Sequence, residues 1–173
     1  MENKYSKLMK ILHWLSAILV LTLILSGLVM VDAAPNDFKW LLYANHKSIG
    51  IIVFILFFVR IIVRLVSIVP KLPNELSSFW RISALTGHFV LYSLMLAVPF
   101  CGIAMSLFGG YQLSFFGIPL EFIKLVKNVD LATLFNLLHV YLAWGFAAII
   151  ALHILGALKH LLLDKLNLFK RII

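Results

Sequence analysis

Six histidines carry the chemistry open to this sequence: His13, His46, His88, His139, His153 and His160, set against seven acidic residues in the whole chain. Each falls in or at the edge of a long apolar run. An ionisable side chain in such a run is costly and usually faces a partner inside a helical bundle. His139 and His153 are fourteen residues apart. That is close to four helical turns, so both project from nearly one face at depths about 21 Å apart. This separation suits two stacked sites near opposite membrane surfaces, because one zinc or di-metal centre would need ligands about a turn apart.

The elements that must position these side chains follow from hydropathy. Of the 173 residues, 63% are hydrophobic and 13% charged, with a mean hydropathy of +1.05. Too few polar residues remain to clothe a soluble domain, and long apolar runs with few charges are the mark of membrane spans. Four spans are expected, over 11–31, about 46–69, about 82–108 and about 134–163. They are separated by the turn from Asp32 to Asp37, by Pro70-Lys-Leu-Pro73 and by a longer loop starting at Gly109-Gly110. The fold class is therefore an all-α integral membrane protein, one domain over 1–173 built as a four-helix bundle. The basic start resembles a signal peptide, yet the run 11–31 has about 21 residues and no small-residue cleavage pattern. It reads as a retained helix.

Charge sets the orientation. Lys4, Lys7, Lys10, Arg60, Arg64, Lys71, Arg81, Lys159, Lys165, Lys170 and Arg171 fall on one side; Lys39, Lys47, Lys124 and Lys127 fall on the other. Eleven against four places both termini in the cytoplasm. The net charge of +8 is thus a property of that face and does not point to nucleic acid. The lone cysteine, Cys101, excludes an intrachain disulfide and a Cys-ligated zinc or iron–sulfur centre. With no Cys-x-x-Cys-His, a c-type haem is excluded as well.

With this topology His46 enters the second helix on the outer side, level with His139. His13 opens the first helix on the inner side, near the depth of His153. Two bis-histidine pairs result, His46–His139 outside and His13–His153 inside. Two imidazoles on one haem iron leave no axial position open for oxygen and suit electron transfer, so the expected cofactors are two b-type haems. Only two histidines lie at the outer level. The inner layer offers His13, His88, His153 and His160; spacing favours His153 and leaves a swap open. His88 reads as structural or supporting rather than as a ligand. His160, seven residues beyond His153, reads equally as a solvated headgroup-level residue and as a hydrogen-bond donor to a quinone carbonyl.

Arg60 is fourteen residues past His46, on the same face but at inner depth. Its planar fork suits a haem propionate, whereas snorkelling to the interface fits Arg64 better. Lys47 is placed to pair with an outer propionate or to charge the outer mouth. Trp40 and Trp80 fit interfacial belts, while Trp14 and Trp144 pack on the macrocycles or fill the bundle. Gly27, Gly50, Gly87, Gly102 and Gly145 allow close helix approach, the default reading, or leave room for a flat ring. Phe115-Phe116-Gly117-Ile118-Pro119, within the loop 109–133, is apolar but too short to span, and reads as an interfacial or haem-capping lid.

These residues together resemble the bacterial cytochrome b561 family, particularly the small four-helix members that include superoxide oxidase. The resemblance covers nearly the whole chain. Its carriers are Met1-Glu-Asn-Lys-Tyr-Ser6, His13-Trp14, the helix start with His46, Gly87-His88 through Leu91-Tyr92, Pro99-Phe-Cys-Gly102, the paired His139 and His153, and His160. It implies haem ligation from the first, second and fourth helices, matching His13, His46, His139 and His153. It also implies a quinone partner near the inner haem, where the residue matching His160 is involved, and a place in the bacterial inner membrane. The superoxide-oxidising members pass electrons from periplasmic superoxide to ubiquinone. An anionic substrate favours a positive mouth, but Asp32, Asp37, Glu121 and Asp130 balance the four outer lysines.

The expected function is that of a quinone-linked oxidoreductase, with superoxide a candidate donor. One rival is a cytochrome b anchor carrying electrons from a periplasmic dehydrogenase or hydrogenase to quinone. The other, a histidine-lined proton or metal transporter, would need carboxylates within the spans. The acidic residues lie at span edges and in loops.

Overall fold

The computed structural model describes residues 4–120 and 126–173. Met1-Glu-Asn3 of the opening motif, and Glu121 and Lys124, counted above for charge, lie outside the described residues. Four long helices run antiparallel in sequence: α1 (Lys7–Asp32), α2 (Asp37–Val66), α3 (Ser78–Phe108) and α4 (Val129–Leu162). Each is long and apolar enough to cross a membrane. Their outward faces expose large hydrophobic side chains such as Ile18, Leu25, Ile62, Leu65, Phe89 and Leu152, the surface that lipid tails accommodate. The chain is a multi-pass membrane protein.

Local chemistry explains the helix starts. Ser6, Asn36 and Asn128 accept hydrogen bonds from the backbone N–H groups of Met9 (3.3 Å), Lys39 (3.1 Å) and Leu131 (3.0 Å), satisfying donors that a first turn leaves orphaned. The Asn36 cap starts α2 at Asp37, nine residues before His46, where hydropathy alone begins the span. The extra turns carry Asp37, Lys39 and Asn45 and sit at the interface, so they dilute the apolar signal without breaking the helix. Likewise α3 and α4 start at Ser78 and Val129, ahead of the expected 82 and 134. Lys39 donates to the carbonyls of Val31 (3.3 Å) and Ala33 (2.9 Å). A cation on the carbonyl end of a helix is favourable, and it fastens α1 to α2 across a short link.

The loop after α3 folds into a small antiparallel hairpin, β1 (Ser114–Phe115) and β2 (Ile118–Pro119), with Phe115 opposite Ile118. Phe116 (φ 47°) and Gly117 (φ 87°) form its turn, both in the left-handed region that a two-residue hairpin turn of this hand requires. The Phe116 N–H donates to the Ser48 hydroxyl at 2.9 Å, and Ser48 is 1% exposed. The apolar loop thus seats on α2 two residues past His46.

At the opposite end the segment after α4 returns to α1. Trp14 Nε1 donates to the Ile172 carbonyl (3.0 Å), and the Tyr5 N–H donates to the Arg171 carbonyl (3.1 Å). The end where these segments meet is called inner and the hairpin end outer.

The helices pack in a chain, α1 on α2, α2 on α3 and α3 along α4, while α1 and α4 scarcely touch. Halfway along the bundle a buried cluster takes one residue from each helix: Val20, Val53, Met95 and Phe146. Seven residues, two turns or about 10.5 Å, carry each helix from this layer to the next on either side. Outward, the steps reach Gly27, His46, Gly102 and His139. Inward, they reach His13, Arg60, His88 and His153. One interval on four helices therefore generates two polar layers about an apolar centre.

Candidate functional site

In the outer layer α2 and α4 bring His46 and His139 together, with ring centroids 6.2 Å apart. A metal held on the line between two imidazole nitrogens, at about 2.0–2.1 Å from each, sets the centroids roughly 6.3 Å apart. The pair is therefore spaced for one metal between its rings. His139 Nδ1 donates to the Val98 carbonyl at 2.9 Å; a carbonyl only accepts, so the proton is on Nδ1. His46 Nδ1 lies 2.9 Å from the Ser26 hydroxyl. That hydroxyl donates its one hydrogen to the Leu23 carbonyl at 3.1 Å, so its oxygen accepts from His46 Nδ1–H. Both rings thus keep the Nε2 lone pair for ligation, and the partner on Nδ1 fixes tautomer and orientation.

Glycines make room for these rings. A Cβ at Gly102 would lie 3.1 Å from His139 Cε1 and 3.2 Å from Nδ1; one at Gly27 would lie 3.5 Å from His46 Cε1. A side chain at position 102 would crowd the His139 ring where it meets α3. Beyond it, Lys47 places its ammonium over the Tyr111 ring, 5.3 Å from the centroid, beside the hairpin.

The inner layer is built differently. His13 and His153 face each other across the α1–α4 separation with centroids 6.4 Å apart, again the spacing of a bridged pair. His88 from α3 stands 5.6 Å from His153, shorter than that geometry. None of these three rings makes a hydrogen bond among the described residues, and His153 is exposed. Arg60 adds its guanidinium to the cluster. Its Nη1 donates to the Leu12 carbonyl at 3.0 Å, its guanidinium stands 5.4 Å from the Tyr92 ring centroid, and its Nε is buried without a partner. An unsatisfied guanidinium N–H beside a histidine pair suits a carboxylate such as a haem propionate. Arg64 also lies over the Tyr92 ring, 5.9 Å away. The donor sets of both layers fit haem iron: paired imidazoles at bridging distance, small residues against the outer rings and an arginine beside the inner ones.

His160 stands apart from the pairs. It is 7% exposed, buried rather than solvated at the headgroup level. Its Nδ1 is 2.6 Å from Asp164 Oδ2, and Trp80 packs edge-on to its ring at 5.2 Å. Lys159 donates to the same carboxylate oxygen at 2.6 Å and lies 4.2 Å from the centroid of the Trp80 ring. Hydrogen bonds from Lys159 and His160 hold the Asp164 carboxyl below the usual carboxylate range. A cleft of about 330 Å³ opens beside this group, lined by Glu75, Leu76, Ser77, Trp80, Lys159, Asp164 and Leu166.

Among the tryptophans, Trp40 is exposed at the start of α2 and Trp144 faces outward from α4. Trp14 touches His13 edge-on at 5.4 Å. Trp80, in the first turn of α3, packs on His160.

Two contributors carry no signal in the sequence, Ser26 and the Val98 carbonyl; Gly27 and Gly102 read there as positions for close helix approach or for a flat ring. The seven-residue interval is the signal that places both glycines opposite the outer histidines. Nothing in the sequence marks Ser26 as a histidine partner.

Comparison with known proteins gives a consistent result. The family model described as prokaryotic cytochrome b561 matches residues 4–173. Cytochrome b561 homolog 2 of Escherichia coli (strain K12) is 33% identical over 176 residues, covering 99% of this chain and 92% of that protein. Probable superoxide oxidase CybB of Yersinia pestis is 32% identical over 160 residues, covering 92% and 90%. Cytochrome b561 homolog 1 of Escherichia coli (strain K12) is 29% identical over 177 residues, covering 98% and 96%.

Proposed function

Because the chain belongs to the prokaryotic cytochrome b561 family, and so is a membrane b-type cytochrome of electron transfer, we propose that it holds two haems and links an outer electron donor to membrane ubiquinone. Haem iron, when bound, supplies reversible one-electron chemistry without proton transfer at the metal. The observation that carries the reading is the outer pair. His46 and His139 stand 6.2 Å apart, each with Nδ1 engaged and Nε2 left to ligate.

In this reading His46 and His139 hold the outer haem and His13 and His153 the inner one. Arg60 directs its unpartnered Nε–H at an inner propionate. Val53 and Phe146, with Val20 and Met95, separate the layers by an apolar plug that excludes water. His160 donates a hydrogen bond to a quinone carbonyl near the inner end. The carboxylate of Asp164 engages Nδ1, leaving Nε2 as the atom to address the ring. The basic inner face lies in the cytoplasm and the outer face opens to the periplasm, in the bacterial inner membrane. Superoxide is the candidate donor, supported by the relationship to probable superoxide oxidase CybB of Yersinia pestis and by the Lys47 ammonium over Tyr111 at the hairpin end.

A reduced-minus-oxidised spectrum of the purified protein, with haem counted per chain, tests this directly. Two low-spin b-type haems per chain are expected. Absence of that signal sinks the proposal, and one haem per chain sinks the two-layer form of it. Reduction of ubiquinone by the isolated protein with superoxide supports the donor assignment; reduction that requires a copurifying partner replaces it.

A further inference from the structure

The two layers use equivalent steps on the same helices but treat their histidines unlike one another. Both outer rings donate Nδ1–H to protein oxygens, His46 to Ser26 and His139 to the Val98 carbonyl. An imidazole whose second N–H is engaged becomes the more basic, more electron-donating ligand. Stronger donation stabilises the oxidised, more positively charged iron and lowers its midpoint potential. The inner rings of His13, His88 and His153 have no such acceptor among the described residues. They have instead the Arg60 guanidinium within electrostatic reach of all three. A fixed cation in a low-dielectric layer opposes the extra positive charge of oxidised iron and raises the potential. The outer cation nearest the pair in sequence, Lys47, is drawn toward Tyr111 and the hairpin.

Both effects act in one direction. Building on the two-haem reading above, we propose that Ser26, together with the Val98 carbonyl, poises the outer site at the lower potential and Arg60 poises the inner site at the higher one. Transfer from the outer to the inner layer then runs downhill, each electron lost by the outer iron reducing the inner. Ser26 acts as a positioning residue: it touches His46, never the metal.

Equilibrium redox titration of the purified, full-length protein carrying both haems separates the claim from its premise. In the unmodified protein two midpoint potentials are expected. Ser26→Ala should raise the lower one and leave the higher unchanged. Ser26→Thr, which keeps the hydroxyl, should restore the original value, as a purely steric role would not. Arg60→Gln should lower the higher potential alone, and it carries the test independently should Ser26→Ala fail to assemble. The proposal is overturned if Ser26→Ala shifts the higher potential or neither, if the threonine variant behaves as the alanine one, or if Arg60→Gln moves the lower potential. A haem count other than two per chain is a different failure, which removes the two-haem reading itself.

Discussion

The outer and inner layers lie the same two helical turns from the apolar centre of the bundle, on the same four helices, yet their contents differ. Outside, two histidines stand against two glycines; each ring is held by a hydrogen bond, and the His139 ring also lies tight against Gly102. Inside, three histidines and Arg60 fill all four positions, and the rings have no hydrogen-bonded partners among the described residues. The outer layer is a fitted pair whose Nδ1 atoms are hydrogen-bonded, which leaves both Nε2 atoms open. The inner layer is a polar cluster whose arginine keeps a buried N–H without a partner. Equal spacing along a helix gives equal depth; it does not give equal environment, because that is decided by the side chains that neighbouring helices bring to the same level.

Several substitutions test this contrast. The largest effect is expected from the ligands. His46→Ala and His139→Ala should each remove the same haem, halving haem per chain while the other haem's spectrum persists; loss of different haems breaks the outer pair. Inside, His13→Ala should remove the inner haem, whereas His88→Ala, at the shorter 5.6 Å spacing, should leave two haems per chain. Retention of both haems in the His13 variant would reassign the ligand to His88.

Smaller effects follow from the glycines. Gly102→Ala presses a methyl group against the His139 ring, an overpacking that costs about 1–3 kcal/mol and should lower outer-haem occupancy and thermal stability. Gly27→Ala makes only an ordinary contact and should cost well under that. If both variants denature alike in a thermal melt, the tight fit around His139 is not a distinguishing feature of the outer layer. The smallest effect is expected at the inner rim. Asp164→Asn keeps the shape but weakens the hold on His160, and should slow quinone reduction a few-fold, roughly the loss of one charge-assisted hydrogen bond on an exposed group. Both haem spectra should stay unchanged; a spectral change would mean that Asp164 supports the inner haem instead.

Much of the architecture was legible in the residues. The four spans follow from apolar length, and the fourteen residues between His139 and His153 place two histidines on one face at two depths because helical geometry is local and regular. The same arithmetic puts Arg60 on the face of His46. Helix starts were less legible: Asn36 and Asn128 begin their helices through side-chain caps, and the turns that follow are polar enough to be lost in a hydropathy average.

What the sequence by itself determined was the depth of each functional residue, its helix and its face. Only the tertiary structure decided partners. It gave His46 to Ser26, His139 to Val98 and Gly102, and His160 to Asp164 and Trp80. It also brought both His13 and His88 close to His153. Position along a helix is fixed by the chain's own backbone hydrogen bonds, whereas the neighbour across a helix interface depends on how whole helices rotate and pack against one another. No residue type or spacing within a single helix contains that information.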